Sequence, residues 1–380
     1  MAASNKQVCL IIGASRGIGR QVAIDLAREG YYVVVSAKTT SDASSIPPSS
    51  FPPDPNSAAS TINTVAREIT EAGGSALALR IDVRDVDNVK DVVDDVVRRL
   101  GRLDVLIYNS GAIWWSAVET TPVKRFLLLQ QVNPQGLYAA VAAALPHFGT
   151  QHRHRQQGCC CCWKGRIIVV SPPIYSRFFR GKTAYAMGKV GMSVLTKGLA
   201  MDFVRQGRKD MAITSIWPTS IDVRRRIQTE NVTTVLVLVH GEHGFQSRCQ
   251  VTTVSVNESP PWLTRAELVK KSIESAATQD STRREPQLAK DLRHATIYSD
   301  AILAMLRSPA EEVNGLLVTD EDFLRKKGVT DFSRYSVVPG STPRRIMPAE
   351  FPVLEVAEQD DEGRRVDSVA LRQGRDKSKL

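Results

Sequence analysis

Val8-Cys9-Leu10-Ile11-Ile12-Gly13-Ala14-Ser15-Arg16-Gly17-Ile18-Gly19 decides how the rest of the chain reads. Lys6 to Ile12 is rich in β-formers and predicts a short, fully buried strand. Gln21 to Glu29, with Val22, Ile24, Leu26 and Ala27 as its apolar contacts, predicts an amphipathic helix directly after the glycines. Strand, glycine turn and helix together present backbone N–H groups and a helix N-terminus to a phosphate. The spacing is G-x-x-x-G-x-G, and glycines are needed because a Cβ would block the turn or the approach of a pyrophosphate. Gly13, Ser15, Arg16, Gly17, Ile18 and Gly19 are the candidate phosphate-binding residues.

Outward from this unit the alternation continues. Tyr31–Ser36 reads as a second strand, ending at Ala37-Lys38-Thr39. An Asp or Glu there would select a free ribose 2′-hydroxyl. The chain instead places Lys38 and Arg16 where a 2′-phosphate would lie, which points to NADP(H). Residues 41–60, with Pro47, Pro48, Pro52, Pro53 and Pro55, form a long surface loop. Ile62–Ala72 and Val86–Leu100 read as helices. Ala76–Ile81, closed by Asp82-Val83, and Leu103–Tyr108 read as strands. Gly165–Val170, Ala212–Trp217 and Gly315–Thr319 add three more strands, and Ala295–Leu306 a helix. This rhythm predicts an α/β fold with a Rossmann-type, doubly wound parallel sheet.

With 380 residues, 42% hydrophobic and 24% charged, the composition excludes a disordered or collagen-like chain. No apolar run is long enough for a membrane span, and the N-terminus lacks the order of a secretory signal, so an intracellular protein is expected. Six cysteines, four of them at Cys159–Cys162, fit a reducing compartment. Cys159 and Cys162 with His152 and His154 raise a zinc site; without a second, separated ligand pair a low-complexity loop is the reading, and no metal is expected.

The net charge of +10 has a location. Thr150–Lys189 holds eight basic residues (Arg153, Arg155, Lys164, Arg166, Arg177, Arg180, Lys182, Lys189) and no acid. Neither an RNP-type aromatic pattern nor a helix-turn-helix accompanies them, so nucleic acid is not the expected partner. An anionic substrate such as a fatty acyl-CoA fits the charge instead.

Inside that window stands Tyr185-Ala186-Met187-Gly188-Lys189. Tyr and Lys at i and i+4 share one helix face, and the ammonium favours the phenolate, lowering the tyrosine pKa toward working pH. Ser171 ends the fifth strand fourteen residues earlier, and Asn133 lies between glycine turn and tyrosine. With these residues in place, the chain from about 6 to 219 resembles the short-chain dehydrogenase/reductase family. The matches are Gly13–Gly19, Asp82-Val83, Asn109-Ser110-Gly111, Asn133, the Tyr185/Lys189 pair and Trp217-Pro218.

The resemblance implies hydride transfer between NADP(H) and a carbonyl/alcohol pair. Tyr185 would be the general acid/base, and Lys189 would hold the nicotinamide ribose and tune the tyrosine. Asn133 would anchor a proton-relay water, and Ser171 would bond the substrate oxygen. Asp82, Val83, Asn109 and Pro218 would join the glycine turn and Lys38 around the cofactor, in a homo-oligomer. Two positions depart from the family pattern. Tyr108 replaces the first Asn of its N-N-A-G segment, and Pro172 holds the usual serine position. Ser171 is one place early, and a plain strand-end hydroxyl is the alternative reading.

The expected organisation is a single domain. Residues 1–219 form the cofactor-binding and catalytic core, and 272–338 complete it. Ser220–Lys271 match nothing in the family; a translated retained intron is the first reading and a lineage-specific insert the second. Pro339 onward reads as a mobile tail ending in Ser378-Lys379-Leu380, a peroxisomal address for an import receptor. The expected function is an NADP(H)-dependent oxidoreductase for a lipid-derived carbonyl or alcohol in the peroxisome. The alternative is a cofactor-binding protein of the same fold with little turnover, serving as a lipid-binding or scaffold protein.

Overall fold

A computed structural model describes residues 5–148, 164–219, 221, 290–345 and 347–355. Seven strands form one sheet in the order β3-β2-β1-β4-β5-β6-β7. They are β1 (Val8–Ile12), β2 (Tyr32–Ala37), β3 (Ser75–Arg80), β4 (Val105–Tyr108), β5 (Gly165–Val170), β6 (Met211–Trp217) and β7 (Leu317–Thr319). Every pairing is parallel. The order reverses direction between β1 and β4, and a crevice opens there at the carboxyl ends of the strands.

β1, β4 and β6 are buried along their whole length, as expected for a parallel sheet covered on both faces. On one face lie α3 (Val86–Leu100) and α5 (Gly136–Phe148). Val89, Val93 and Val96 pack there with Leu137, Ala140 and Ala144 over Leu10 and Leu106. Asp85 caps α3 by accepting from Asn88 N–H, and Gly101, at φ +75°, closes it in a left-handed turn. α1 (Gly17–Arg28) packs on the helix Thr296–Arg307 and on α2 (Ile62–Glu71). A salt bridge at 2.5 Å joins Arg20 of α1 to Glu68 of α2.

Two readings of the second half are sharpened. The stretch Ser220–Lys271 lies, except for Ile221, outside the described residues. Ile221 pairs in parallel with Arg293, so the chain on either side of the segment 222–289 meets at one bridge. The tail begins later than Pro339. Arg344 is bonded to Asp291 at 2.5 Å, Arg345 to Asp322, and Met347 is buried, so one compact unit runs to Ala349. Composition around Pro339 does not show this, because the anchoring acids stand far away in sequence.

Candidate active site

The glycine turn is fixed by how closely it approaches the end of β4. Gly13 has φ +97°, and a Cβ on it would sit 2.6 Å from Ser110 N. Asn109 Nδ2 donates to Gly13 O at 2.8 Å, and a Cβ on Gly19 would overlap both of these groups. Gly13, Gly19 and Asn109 therefore lock the turn onto the sheet. In the first turn of α1 the N–H groups of Gly17, Ile18 and Gly19 have no intrahelical acceptor. Gly17 N–H donates to Pro55 O at 2.9 Å, and Ser60 Oγ donates to Ser15 O at 2.7 Å. The Pro-rich loop thus braces the turn and takes one of its donors. Ile18 and Gly19 keep theirs toward the crevice mouth, where α1 has no acid in its first turn.

At the end of β2, Arg16 Nη2 reaches Thr39 Oγ1 at 3.4 Å. Lys38 Nζ lies 3.3 Å from Asp82 Oδ2 and stays more than half exposed. Arg84 and then Lys38 hold the Asp82 carboxyl well below the usual carboxylate range.

α4 (Val123–Gln130) does not run straight into α5. Gln131–Gln135 forms a π turn containing Pro134. Proline has no N–H to give, so the ladder slips to wider bonds, a feature common at functional sites. The turn aims Asn133 inward, fully buried. Its Oδ1 accepts from Ala112 N–H at 3.0 Å and its Nδ2 donates to Ala112 O at 3.1 Å. Tyr108 supports this turn from below, its hydroxyl donating to Val132 O at 2.5 Å. Gly136 is what makes room, since a Cβ there would overlap the Tyr108 hydroxyl. The departure at Tyr108 is therefore a strut beneath Asn133, which the sequence did not signal.

α6 (Thr183–Arg205) carries Tyr185, Lys189 and Ser193 on one face. Lys189 Nζ donates to Val170 O at 2.8 Å and Ser193 Oγ to Pro172 O at 2.7 Å, tying the end of β5 to the helix. A Cβ on Gly111 would come within 3.2 Å of Lys189 Nζ and 3.4 Å of Asn133 Oδ1, so this glycine lets the two converge. Electrostatically the pair differs from the expected lowered tyrosine. Burial pushes the Tyr185 phenol up and the Lys189 ammonium down to about 7. At neutral pH the proton stays on Tyr185.

Ser171 is completely buried. Ser215 Oγ donates to Ser171 O at 2.6 Å and lies 2.7 Å from Ser171 Oγ. With the Ser215 proton so committed, the Ser171 hydroxyl donates to Ser215 and not outward. Ser171→Ala is expected to leave kcat within about threefold of wild type, far less than the 10²–10⁴ of a positioned acid or base. Steady-state kinetics on that variant check this.

The ring of Tyr185 is walled by residues the sequence reading did not single out. Trp115 lies at 6.4 Å and Phe178 at 6.0 Å between centroids, and Phe178 meets Trp217 edge-on at 5.5 Å. The basic window does not gather here as one patch. Lys164 and Arg166 stand at the start of β5, lining a cleft of about 350 Å³ with Tyr31 and Arg307. Four residues of strand lie between Arg166 and Ser171, a rise on the order of 17 Å, and Lys164 is farther still. Arg177, Arg180 and Lys182 are on the Tyr185 side. Arg153, Arg155 and Cys159–Cys162 lie outside the described residues.

Residues 56–232 match the family described as short chain dehydrogenase. Hydroxysteroid dehydrogenase-like protein 2 of Danio rerio is 29% identical over 333 residues, covering 87% of this chain and 60% of that protein. The Homo sapiens protein of that name is 26% identical over 332 residues, with coverage of 87% and 60%. The chain thus spans about 60% of the length of these relatives. A short chain dehydrogenase from Mycobacterium thermoresistibile superposes with a TM-score of 0.59 at 27% identity, over 88% of this chain and 92% of that one. A crystal structure from Xanthomonas campestris reaches 0.60 at 27% identity, over 94% and 100%.

Over residues 56–232 the chain resembles the short-chain dehydrogenase/reductase family. The sequence match begins after the glycine turn, and the fold supplies what precedes it. In a short-chain dehydrogenase/reductase, an oxidoreductase fold, a nicotinamide cofactor supplies or accepts the hydride. The residues present fit such a group. The α1 donors of Ile18 and Gly19 suit a pyrophosphate, and Lys189 with Asn133 stands at the other end of the crevice. Among the described residues no helix is long and apolar enough to cross a membrane.

Proposed function

We propose that the protein is an NADP(H)-dependent oxidoreductase for a lipid-derived carbonyl or alcohol, working in peroxisomal fatty-acid metabolism. The observation that carries it is the convergence of Tyr185, Lys189 and Asn133 beside the glycine turn, inside an aromatic wall. The protonated Tyr185 is set to give its proton to a carbonyl oxygen as the hydride arrives at carbon. Lys189, bonded to Val170 O, holds the strand end and offers its remaining N–H donors to the crevice. The buried Phe178 and Trp217, with the exposed Trp115 beside them, favour an apolar chain.

Arg16 and Lys38, with no acid at the end of β2, support the 2′-phosphate reading. Lys38→Ala is expected to weaken NADPH binding about fivefold, in keeping with an exposed ion pair of roughly 1 kcal/mol. NADH binding should stay unchanged in a parallel titration. An equal loss for both cofactors would remove the NADP(H) assignment. Ser378-Lys379-Leu380 supports import, with lipid-derived compounds and acyl-CoA as the local substrates.

The function is tested by NADPH oxidation with fatty aldehydes, oxo acids and ketoacyl-CoAs. A second reading, a cofactor-binding protein with little turnover, draws on the commitment of Ser171 to Ser215. NADPH binding without consumption across the panel would favour it.

A further inference from the structure

We propose that the cleft at the start of β5 is a second binding site, which holds a phosphate monoester of a small apolar group between Lys164 and Arg166. It lies at the opposite end of the sheet from the crevice. Lys189 meets β5 at its last residue, Val170, whereas Gly165, its first, lines the cleft between the two cations. The site stands whether or not the crevice turns over a carbonyl.

Charge in the cleft does not cancel. Asp104 is the acid in its lining and is already committed. Its carboxylate accepts from Val8 N–H at 2.7 Å and from Arg102 Nε and Nη2 at 2.8 and 2.7 Å. Arg307 is paired with Glu29. Lys164 and Arg166 are left, and among the described residues no carboxylate forms an ion pair with either. Arg166 Nη1 donates to Asp210 O at 2.7 Å, Nη2 reaches Ser308 O at 3.4 Å, and Nε is buried without a partner. Carbonyls satisfy N–H groups but bring no net charge, so this half-buried guanidinium still lacks a counter-anion. Burial lowers its pKa, although Asp210 acts against that from farther away. Ser308 O, at the carboxyl end of the helix Thr296–Arg307, would repel an anion, and Arg166 covers it. The stretches just before Gln7 and Lys164, 1–4 and 149–163, contain no Asp or Glu, so the counter-anion is not supplied next to Lys164 in sequence.

The charge selects the ligand. Two unanswered cations match a phosphate monoester, which carries about two negative charges at pH 7, better than a carboxylate or a diester with one. An arginine fork also suits phosphate oxygens. Tyr31 lies within electrostatic reach of Arg166 and Arg307, and burial keeps its phenol protonated, a neutral donor for the same anion. Leu306 and Pro309 give the cleft an apolar side. Its volume of about 350 Å³ is at the small end for ligand sites and takes a ring-sized remainder.

Isothermal titration calorimetry of the full chain with phenyl phosphate, in the presence of excess NADP⁺, tests this. Phenyl phosphate should bind about tenfold more tightly than benzoate, which has one charge fewer, and than inorganic phosphate, which leaves the apolar side empty. Arg166→Gln should weaken it about tenfold, the size of a lost charge-assisted pair. Lys164→Ala should weaken it about fivefold, as for an exposed ion pair, and Lys164→Arg should restore it. Lys164 is exposed, so its two variants decide even where Arg166→Gln does not fold. No binding, wild-type affinity in Lys164→Ala, or equal affinity for benzoate or inorganic phosphate would each overturn the assignment. Displacement of phenyl phosphate by NADP⁺ would place it in the crevice and overturn it too.

Discussion

Tyr185→Phe should lower kcat for any carbonyl the protein reduces by about 10²–10⁴-fold, the range for a positioned general acid, while NADPH affinity stays unchanged. The ring is buried between Trp115 and Phe178 and its hydroxyl adds nothing to that packing, so phenylalanine fills the same volume. What the variant loses is the proton donor. Burial holds the phenol protonated and Lys189 near a pKa of about 7, so the reducing direction finds its proton in place. KM for the carbonyl should move little, because a neutral hydroxyl contributes mainly where negative charge develops on oxygen. Retained turnover within tenfold of wild type would show that another group delivers the proton.

The parts of this site that were legible in sequence are those whose chemistry is local. Val86–Leu100 and Gly165–Val170 have in the structure the bounds their patterns predict, because a capped amphipathic run and a β-branched run need no distant partner. Tyr185 and Lys189 were legible for the same reason, as helical spacing alone aligns them. Other features depend on what the sheet brings together. Ser171 meets Ser215 only because β5 pairs with β6. The Tyr108 hydroxyl finds Val132 O only because Pro134 distorts the turn and Gly136 leaves space. The basic window is continuous in sequence and split in space, since β5 carries its two parts to opposite ends of the sheet.

Arg293→Met should cost about 3–5 kcal/mol of stability, the usual result of stripping one partner from a buried ion pair. Arg293 is fully buried. Its Nη2 donates to Glu321 Oε2 at 2.7 Å and to the carbonyls of Pro343 and Arg344 at 3.3 Å. Its backbone also bridges Ile221 and Ser336, so one residue gathers three segments. Without the guanidinium, Glu321 keeps its ion pair with the half-exposed Arg325. Urea unfolding at neutral pH measures the deficit. Arg293→Met with Glu321→Gln should recover most of the loss, because Arg293 Nε and Nη1 are buried without partners and the pair is imperfectly satisfied as it stands. The pair also reaches the site. Next to Glu321, Asp320 is pushed up to about 7 by burial and accepts from Thr219 N–H at 3.2 Å and from its hydroxyl at 2.6 Å. Thr219 follows Trp217-Pro218, and the Trp217 ring lies 5.8 Å from Lys189 Nζ. Loosening Arg293 therefore frees the wall that holds Lys189, and cofactor affinity should fall together with stability. A destabilisation below 1 kcal/mol, or full cofactor affinity in a destabilised Arg293→Met, would break that chain of support.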